Sequence, residues 1–420
     1  MEKKYKVIVA HPGKQHSMQL ATALERAGML DSYITTVYDR PGSITHFIAG
    51  LLKGSNKKKA SGRKSDGIPE NKIVQFCELR GLILLALIRL PRIMQSDFRW
   101  CQYVNNVFSK KVAKYALKRG VDAVIMFDTA SEKGFAYLLE QKSDILKIMD
   151  VSIATRFFMK NTYEKDYAVK ELKKEYPEYW NDHYMRGYKA EIDYADHFLV
   201  ASKMSGRSLE YCGVSKDKYT IIPYGVNQSE FDYEQKKIHA GPIRLIFVGY
   251  ANYRKGIHHL LNVLDRFDEN EFDVTIAGMF DPTNDIYNNY KDKKNVHFIG
   301  FVTRDLLAEE YKKADAFVFP TIGEGYGLVL LEALSCGLPA IVSNLAGGDD
   351  AIIEGYNGYV FEGGNDDALE KALRKFKEEY VRIGQLSAQA HESVKAFTWD
   401  KYYSDVSTRV AELIEEHSAR

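Results

Sequence analysis

Cysteine is scarce in this sequence. Four cysteines in 420 residues, Cys77, Cys101, Cys212 and Cys336, stand far apart and form no C-x-x-C pair. That argues against a zinc framework or a disulfide scaffold and for reduced, buried thiols in a cytosolic protein. Long apolar runs are missing. No stretch of about 18 apolar residues occurs, so no transmembrane helix is expected. The apolar run ending at Ala10 is too short for a signal-peptide core. Net charge is nearly absent as well, and a formal +1 argues against a dedicated nucleic-acid binder. No repeat of short period is present. Neither half carries G-x-G-x-x-G after its first strand, which argues against a Rossmann dehydrogenase. No metal-ligand cluster stands out. Asp349-Asp350 and Asp366-Asp367 read as loop or helix-start pairs, so no metal is expected.

What is present describes an ordinary globular enzyme, with 45% hydrophobic and 27% charged residues. The length suffices for two domains with substantial cores. Strand signals alternate with helix signals. Tyr5–Ala10, Ala123–Phe127, Ile145–Met149, His197–Ala201 and Thr220–Ile222 read as strands of a first run, with a helix at Ser17–Ala27. Ile243–Val248, Asp273–Ala277, Val296–Ile299, Phe317–Phe319, Ala340–Val342 and Tyr359–Phe361 read as strands of a second. Helices in that second run are expected at Ile257–Arg266, Asp305–Ala314 and Asp366–Tyr380. Such alternation predicts an α/β protein of two doubly wound domains. The polar stretch Gln228–Gly241 reads as a linker, and Ile44–Lys111 as the least regular part.

The most informative stretch runs from Glu324 to Leu334 and places two carboxylates eight residues apart. It follows the buried strand Ala316–Phe319. Glu324 falls in the loop before a helix predicted at Val329–Ser335, and Glu332 inside that helix. Eight residues span a little over two helical turns, so the pair does not share one metal or one proton. Between them lie backbone N–H groups at a helix N-terminus, a natural phosphate seat. Two acceptor carboxylates around an anion seat suit a ligand with hydroxyls at both ends and phosphate in the middle. A nucleotide-sugar has that layout.

Glu324 to Glu332 resembles the E-x7-E motif of the retaining glycosyltransferases of family 4, which have the GT-B fold. Further pieces resemble the same family in its own order over roughly residues 195–400. They are Ala195–Ser202, the interdomain segment Ile221–Asn227, Phe247-Val248-Gly249 with Arg254-Lys255-Gly256-Ile257, Phe298-Ile299-Gly300, and Asn357–Val360. The first 190 residues match only loosely.

The resemblance implies two Rossmann-like domains facing across a cleft. Residues 1–225 would bind the acceptor, 226–241 would be the linker, and 242–400 would bind the nucleotide-sugar. A C-terminal helix in 401–420 would cross back to the first domain. Glu332 would accept the ribose hydroxyls and Glu324 would face the sugar ring. The N–H groups of Gly325, Tyr326, Gly327 and Leu328 would cover the sugar and distal phosphate. Lys255, with Arg254, would stabilise the departing diphosphate. In the first domain, Gly13 would let the backbone approach the diphosphate, and Lys14, Gln15 or His16 would touch phosphate or acceptor. Two departures matter. Tyr250 stands where the family carries arginine after the glycine. No histidine ends the strand Ile145–Met149, where Asp150 would take its place.

The implied activity is retaining, metal-independent transfer of a sugar to an acceptor hydroxyl in cell-surface polysaccharide or glycoconjugate synthesis, without a cofactor. The partners would be the nucleotide-sugar and a glycan or lipid-linked acceptor, not nucleic acid. A sugar-nucleotide epimerase of the same fold is one alternative; a nucleotide-binding regulatory protein with degenerate chemistry is another. Lys53, Lys57, Lys58, Lys59, Arg63 and Lys64 form a basic run, and Gly81–Ile88 is nearly all apolar. The pair reads either as a solvated loop before a buried helix or as a peripheral contact with the inner face of a membrane.

Overall fold

The computed structural model describes residues 5–13, 16–51, 62–87, 98–347 and 350–419. Its strands form two sheets. The first holds β1 (Val7–Ala10), β2 (Leu30–Thr35), β3 (Ile73–Gln75), β4 (Ala123–Phe127), β5 (Leu146–Val151), β6 (His197–Val200) and β7 (Tyr219–Ile221) in the order β3-β2-β1-β4-β5-β6-β7. The second holds β8 (Ile243–Val248), β9 (Phe272–Ala277), β10 (Val296–Gly300), β11 (Ala316–Phe319), β12 (Ala340–Ser343) and β13 (Gly358–Phe361) in the order β10-β9-β8-β11-β12-β13. Adjacent strands pair in parallel, as continuous apolar runs with helical crossovers require. β4, β5 and β11 are buried along their whole length.

Strand order reverses between β1 and β4 and again between β8 and β11. Ligands of open α/β sheets bind outside the carboxyl ends of strands at such reversals. The loops leaving those strands carry His11–His16, Asp128–Ala130, Gly249–Gly256 and Pro320–Gly327. The motif residues therefore gather at the two switch points.

Among its described residues, the region expected to be least regular is largely helical. It contains the helices Ile44–Leu51 and Glu78–Leu87, the short strand β3, and the 22-residue helix Phe98–Arg119. That last helix buries Val104, Phe108, Val112 and Ala116, a four-residue repeat that places one face on the sheet. The polar stretch 228–241 is not a free tether. Phe231 is buried, and the Lys236 ammonium, also buried, donates to Tyr311 O and Lys312 O at 3.1 and 2.7 Å. Burial pulls that ammonium down to about 8.

The final helix, Trp399–Ser418, packs on the first-domain helix Ser17–Arg26. Tyr5 Oη donates to Glu415 at 2.7 Å and Arg26 pairs with Asp400 at 2.6 Å. The chain thus crosses between the sheets twice, and the crossings touch. Val226 N donates to Phe397 O at 3.0 Å. A Cβ on Gly225 would lie 2.2 Å from Trp399 N and 2.3 Å from Thr398 C. Backbone cannot yield there as a side-chain tip would. Gly225→Ala is expected to lower stability by about 1–3 kcal/mol, read as a lower urea midpoint with unchanged slope.

Candidate active site

Two loops of the second domain meet because glycine lets them. Gly256 has φ +69°, and a Cβ there would lie 1.9 Å from Pro320 O. The close approach is locked by Ile322 N and Thr321 Oγ1, which donate to Arg254 O at 3.0 and 3.1 Å. The contact carries Lys255 Nζ onto Glu324 Oε2. Arg254 Nη1 lies 3.4 Å from the same oxygen and donates to Gly323 O at 3.0 Å, while its Nε donates to Tyr176 Oη at 3.1 Å. Arg254 and Lys255 are adjacent, yet they face one carboxylate. Burial works against a charged Glu324, but Lys255 and then Arg254 outweigh it and hold the carboxyl down to about 2. Burial lowers the Lys255 ammonium, opposed by Glu324. Tyr250, at the position expected to hold arginine, is 39% exposed.

The helix after this loop is Leu328–Ser335, one residue longer than expected at its start. Its N-cap, Gly327, offers no side-chain cap. Glu332 lies on this helix with its carboxylate 3.6 Å from Arg304 Nη2, and burial pushes it up despite that cation. Glu324 and Glu332 thus have opposite shifts: one is held ionised by two cations, the other is desolvated and thinly paired.

The first domain closes onto the loop. A Cβ on Gly325 would lie 2.0 Å from Ser152 O. Ser202 Oγ donates to Gly325 O at 2.7 Å. Tyr326 stands edge-on to Tyr224, ring centroids 5.5 Å apart, and its buried hydroxyl has no hydrogen-bond partner among the described residues.

On the first-domain side, Gly13 N donates to His11 Nδ1 at 2.9 Å. Burial holds His11 down to about 4, so it is neutral near pH 7. Lys14 and Gln15 lie outside the described residues. His16 Nε2 lies 2.9 Å from Asp150 Oδ1 and 2.7 Å from Tyr224 Oη. A histidine therefore does reach the end of β5, from the first loop instead of from the strand itself. The Nε2 that donates to Asp150 cannot also accept from Tyr224. Asp128 stands beside them, accepting from Ser152 N at 3.1 Å, and burial pushes its carboxyl up. Sequence reasoning missed Tyr224 and Asp128. Tyr224 had a signal, since it lies within the interdomain segment Ile221–Asn227. A cavity of about 220 Å³ opens beside the loop, lined by His11, Gly13, Thr36, Leu84, Asn105 and Thr129.

The structure also assembles what the sequence did not show. Asp166, His258 and His259 offer ligand atoms within 4.8 Å of one another, and all three are buried.

Lys255→Met removes the nearer of the two cations on Glu324. Its carboxyl is expected to titrate well above about 2 and move toward the ordinary glutamate range of about 4.3. Carbon NMR of labelled glutamate carboxyls reads the midpoint; an unchanged midpoint would assign the shift to Arg254 alone.

Residues 228–395 match the family described as Glycosyl transferases group 1. An uncharacterised glycosyltransferase of Methanocaldococcus jannaschii is 28% identical over 210 residues, which are 46% of this chain and 54% of that protein. The chain therefore spans about half the length of that relative. A second uncharacterised glycosyltransferase of the same organism is 24% identical over 90% of this chain and 96% of its own. Among solved structures, sucrose-phosphate synthase from Thermosynechococcus elongatus superposes with a TM-score of 0.68 at 17% identity, covering 98% of this chain and all of that one. An Anabaena protein solved with UDP-glucose superposes at 0.60 and 12% identity, covering 97% and 99%. At these identities the superpositions show the fold, two Rossmann-like domains of the GT-B type. Residues 228–395 are thus a Glycosyl transferases group 1 domain, set within a two-domain architecture of the GT-B type.

Proposed function

We propose that the chain is a retaining glycosyltransferase that moves a sugar from a nucleotide-sugar to an acceptor hydroxyl in cell-surface polysaccharide or glycoconjugate synthesis. One observation carries this reading: Arg254 and Lys255 converge on Glu324 at the mouth of an uncapped helix N-terminus. Such a site holds a preorganised positive field where a diphosphate leaves. Lys255 transfers its contact from Glu324 to the phosphates, and the freed Glu324 accepts the sugar hydroxyls. Glu332, desolvated and thinly paired, takes the ribose hydroxyls. The acceptor proton passes to the departing phosphate oxygen, and the His16–Asp150–Tyr224 group positions the acceptor. Protein cations and amides supply the charge, so no divalent ion is needed at the diphosphate. A neighbour of the same fold was solved with UDP-glucose, which supports this class of donor.

Glu332→Ala is expected to weaken binding of the nucleotide roughly 10- to 150-fold, the worth of a charge-assisted hydrogen bond of about 1.5–3 kcal/mol, with the fold intact. Calorimetry with UDP, GDP and ADP reads this; unchanged affinity removes the ribose role. In the transfer assay, kcat at saturating donor survives EDTA and the donor's anomeric configuration is kept in the product. NMR of the product showing inversion, or turnover restored only by Mg²⁺ or Mn²⁺, overturns the mechanism.

The proposal includes work at the inner face of a membrane. Among the described residues no helix is long and apolar enough to cross one. The neighbouring helices Ile44–Leu51 and Glu78–Leu87 instead expose Phe47 at 69%, Leu51 at 68% and Leu79 at 60%. The chain continues from Leu51 into the basic run at Lys53, Lys57, Lys58 and Lys59, which lies outside the described residues. Exposed apolar side chains followed in sequence by cations fit an anionic bilayer surface, each cation adding up to about 1 kcal/mol. The protein is expected to sediment with anionic vesicles at low salt and to be released near 1 M, where the screening length is about 3 Å. Phe47→Ser with Leu51→Ser weakens sedimentation. A wild type that stays in the supernatant at low salt ends the membrane reading.

A further inference from the structure

Away from the donor residues, four side chains from three helices form a dry cluster across the domain boundary. Asp166 caps the C-terminus of the first-domain helix Arg156–Lys165. His258 and His259 lie in the first turn of the second-domain helix Ile257–Leu264. Asp366 opens the helix Asp366–Glu378. His259 Nε2 is 2.8 Å from Asp166 Oδ2, and His258 Nε2 is 3.2 Å from Asp166 Oδ1. His259 Nδ1 is 2.5 Å from Asp366 Oδ1. The side chains of Asp166, His258 and His259 are 2%, 7% and 2% exposed, too dry for water to screen them.

The second carboxylate decides the chemistry. Asp366 accepts from His259 Nδ1 and takes a further hydrogen bond from Asn262 Nδ2 at 2.5 Å. A neutral His259 with its proton on Nδ1 turns the Nε2 lone pair toward Asp166. Two lone pairs cannot face each other at 2.8 Å in a dry site unless positive charge sits between them. That charge is a proton or a metal ion. Two features favour the metal. His258 brings a second imidazole to the same carboxylate, although its own Nδ1 is buried with no hydrogen-bond partner among the described residues. A carboxylate behind a histidine is also the usual support of a metal-bound imidazole. Tetrahedral zinc with ligands at about 2.0–2.1 Å separates its ligand atoms by about 3.3 Å. The 2.8 and 3.2 Å contacts reach the two different oxygens of Asp166, and one ligand atom from each residue lies within 4.8 Å of the others, so side-chain shifts bring the three onto one ion. Two carboxylates oppose the cation, and one of them, Asp366, also faces Arg266 Nη2 at 3.8 Å.

We propose that Asp166, His258 and His259 form a divalent-cation site of the zinc class, with Asp366 orienting His259 from behind. The site ties the first domain to the second through metal bonds. It uses none of the residues assigned to the donor and does not depend on that assignment.

The test uses the full chain, stripped with EDTA and dialysed, without nucleotide. Zn²⁺ alone is expected to bind one per chain in calorimetry and to raise the melting temperature. Co²⁺ is expected to give the visible absorption of a tetrahedral nitrogen and oxygen site. His258→Ala with His259→Ala, checked for fold by circular dichroism, loses both signals. Asp366→Asn keeps the three ligands and binds roughly 10- to 100-fold more weakly, which covers the case in which the double variant fails to fold. A folded wild type that takes up no stoichiometric Zn²⁺ or Co²⁺ leaves only protons between these groups and overturns the proposal. So does Asp366→Asn with undiminished affinity.

Discussion

Backbone packed directly on backbone sets the geometry of the cleft. Gly256 lies against Pro320 O, Gly278 against Gly249 O and Gly325 against Ser152 O, each with room for a hydrogen and not for a methyl. The first contact fuses the two second-domain loops, the second seats that pair on β9, and the third brings the first domain down upon it. Everything charged in the centre inherits its position from these contacts. Side chains as long as Lys255 and Arg254 cost much rotamer entropy to fix. Here they are fixed because the loop that carries them has nowhere else to lie.

The electrostatic design follows. Glu324 is ionised in a dry place because two cations enclose it, and those cations are held by it in turn. In the proposed function the arrangement is a loaded exchange: an incoming polyanion would compete with Glu324 for Lys255, and the carboxylate would be released as the anion arrives. Pairing keeps the buried charges tolerable before the ligand comes, and the swap avoids desolvating them a second time. On the facing domain, His11 is kept neutral by burial while His16 is placed between Asp150 and Tyr224. One wall of the cleft therefore carries paired charge, and the other a hydrogen-bonded group of His16, Asp150 and Tyr224.

The second sheet was largely legible in the sequence, and the reason is physical. β8 is an apolar run between Pro242 and Gly249, and β11 ends at Pro320, so composition and punctuation coincide. β2 was not legible, because its sequence LDSYIT hides a buried strand behind Asp31 and Ser32. β3 has three residues at a sheet edge, too few for any period to register. The helix Phe98–Arg119 did carry a four-residue repeat, masked by its lysines and arginines. In the site, Glu324 and Glu332 came from local spacing, and Lys255 from the resemblance. The contacts of His16 with Asp150 and Tyr224 span 134 and 208 residues, and that of His259 with Asp166 spans 93. No local rule can read such pairs; only the folded sheets bring them together.

The touching double crossover has a mechanical meaning. Two bodies joined by one strand can swing and spin about it. Joined by two strands stitched side by side at Val226 and Phe397, they keep a single easy axis, as a door keeps on two leaves of one hinge. Opening and closing then become one coordinate, and loops far from the stitch travel along a fixed arc. Any separation of Gly325 from Ser152 would have to follow that arc, and its reversal would restore the same register between the walls.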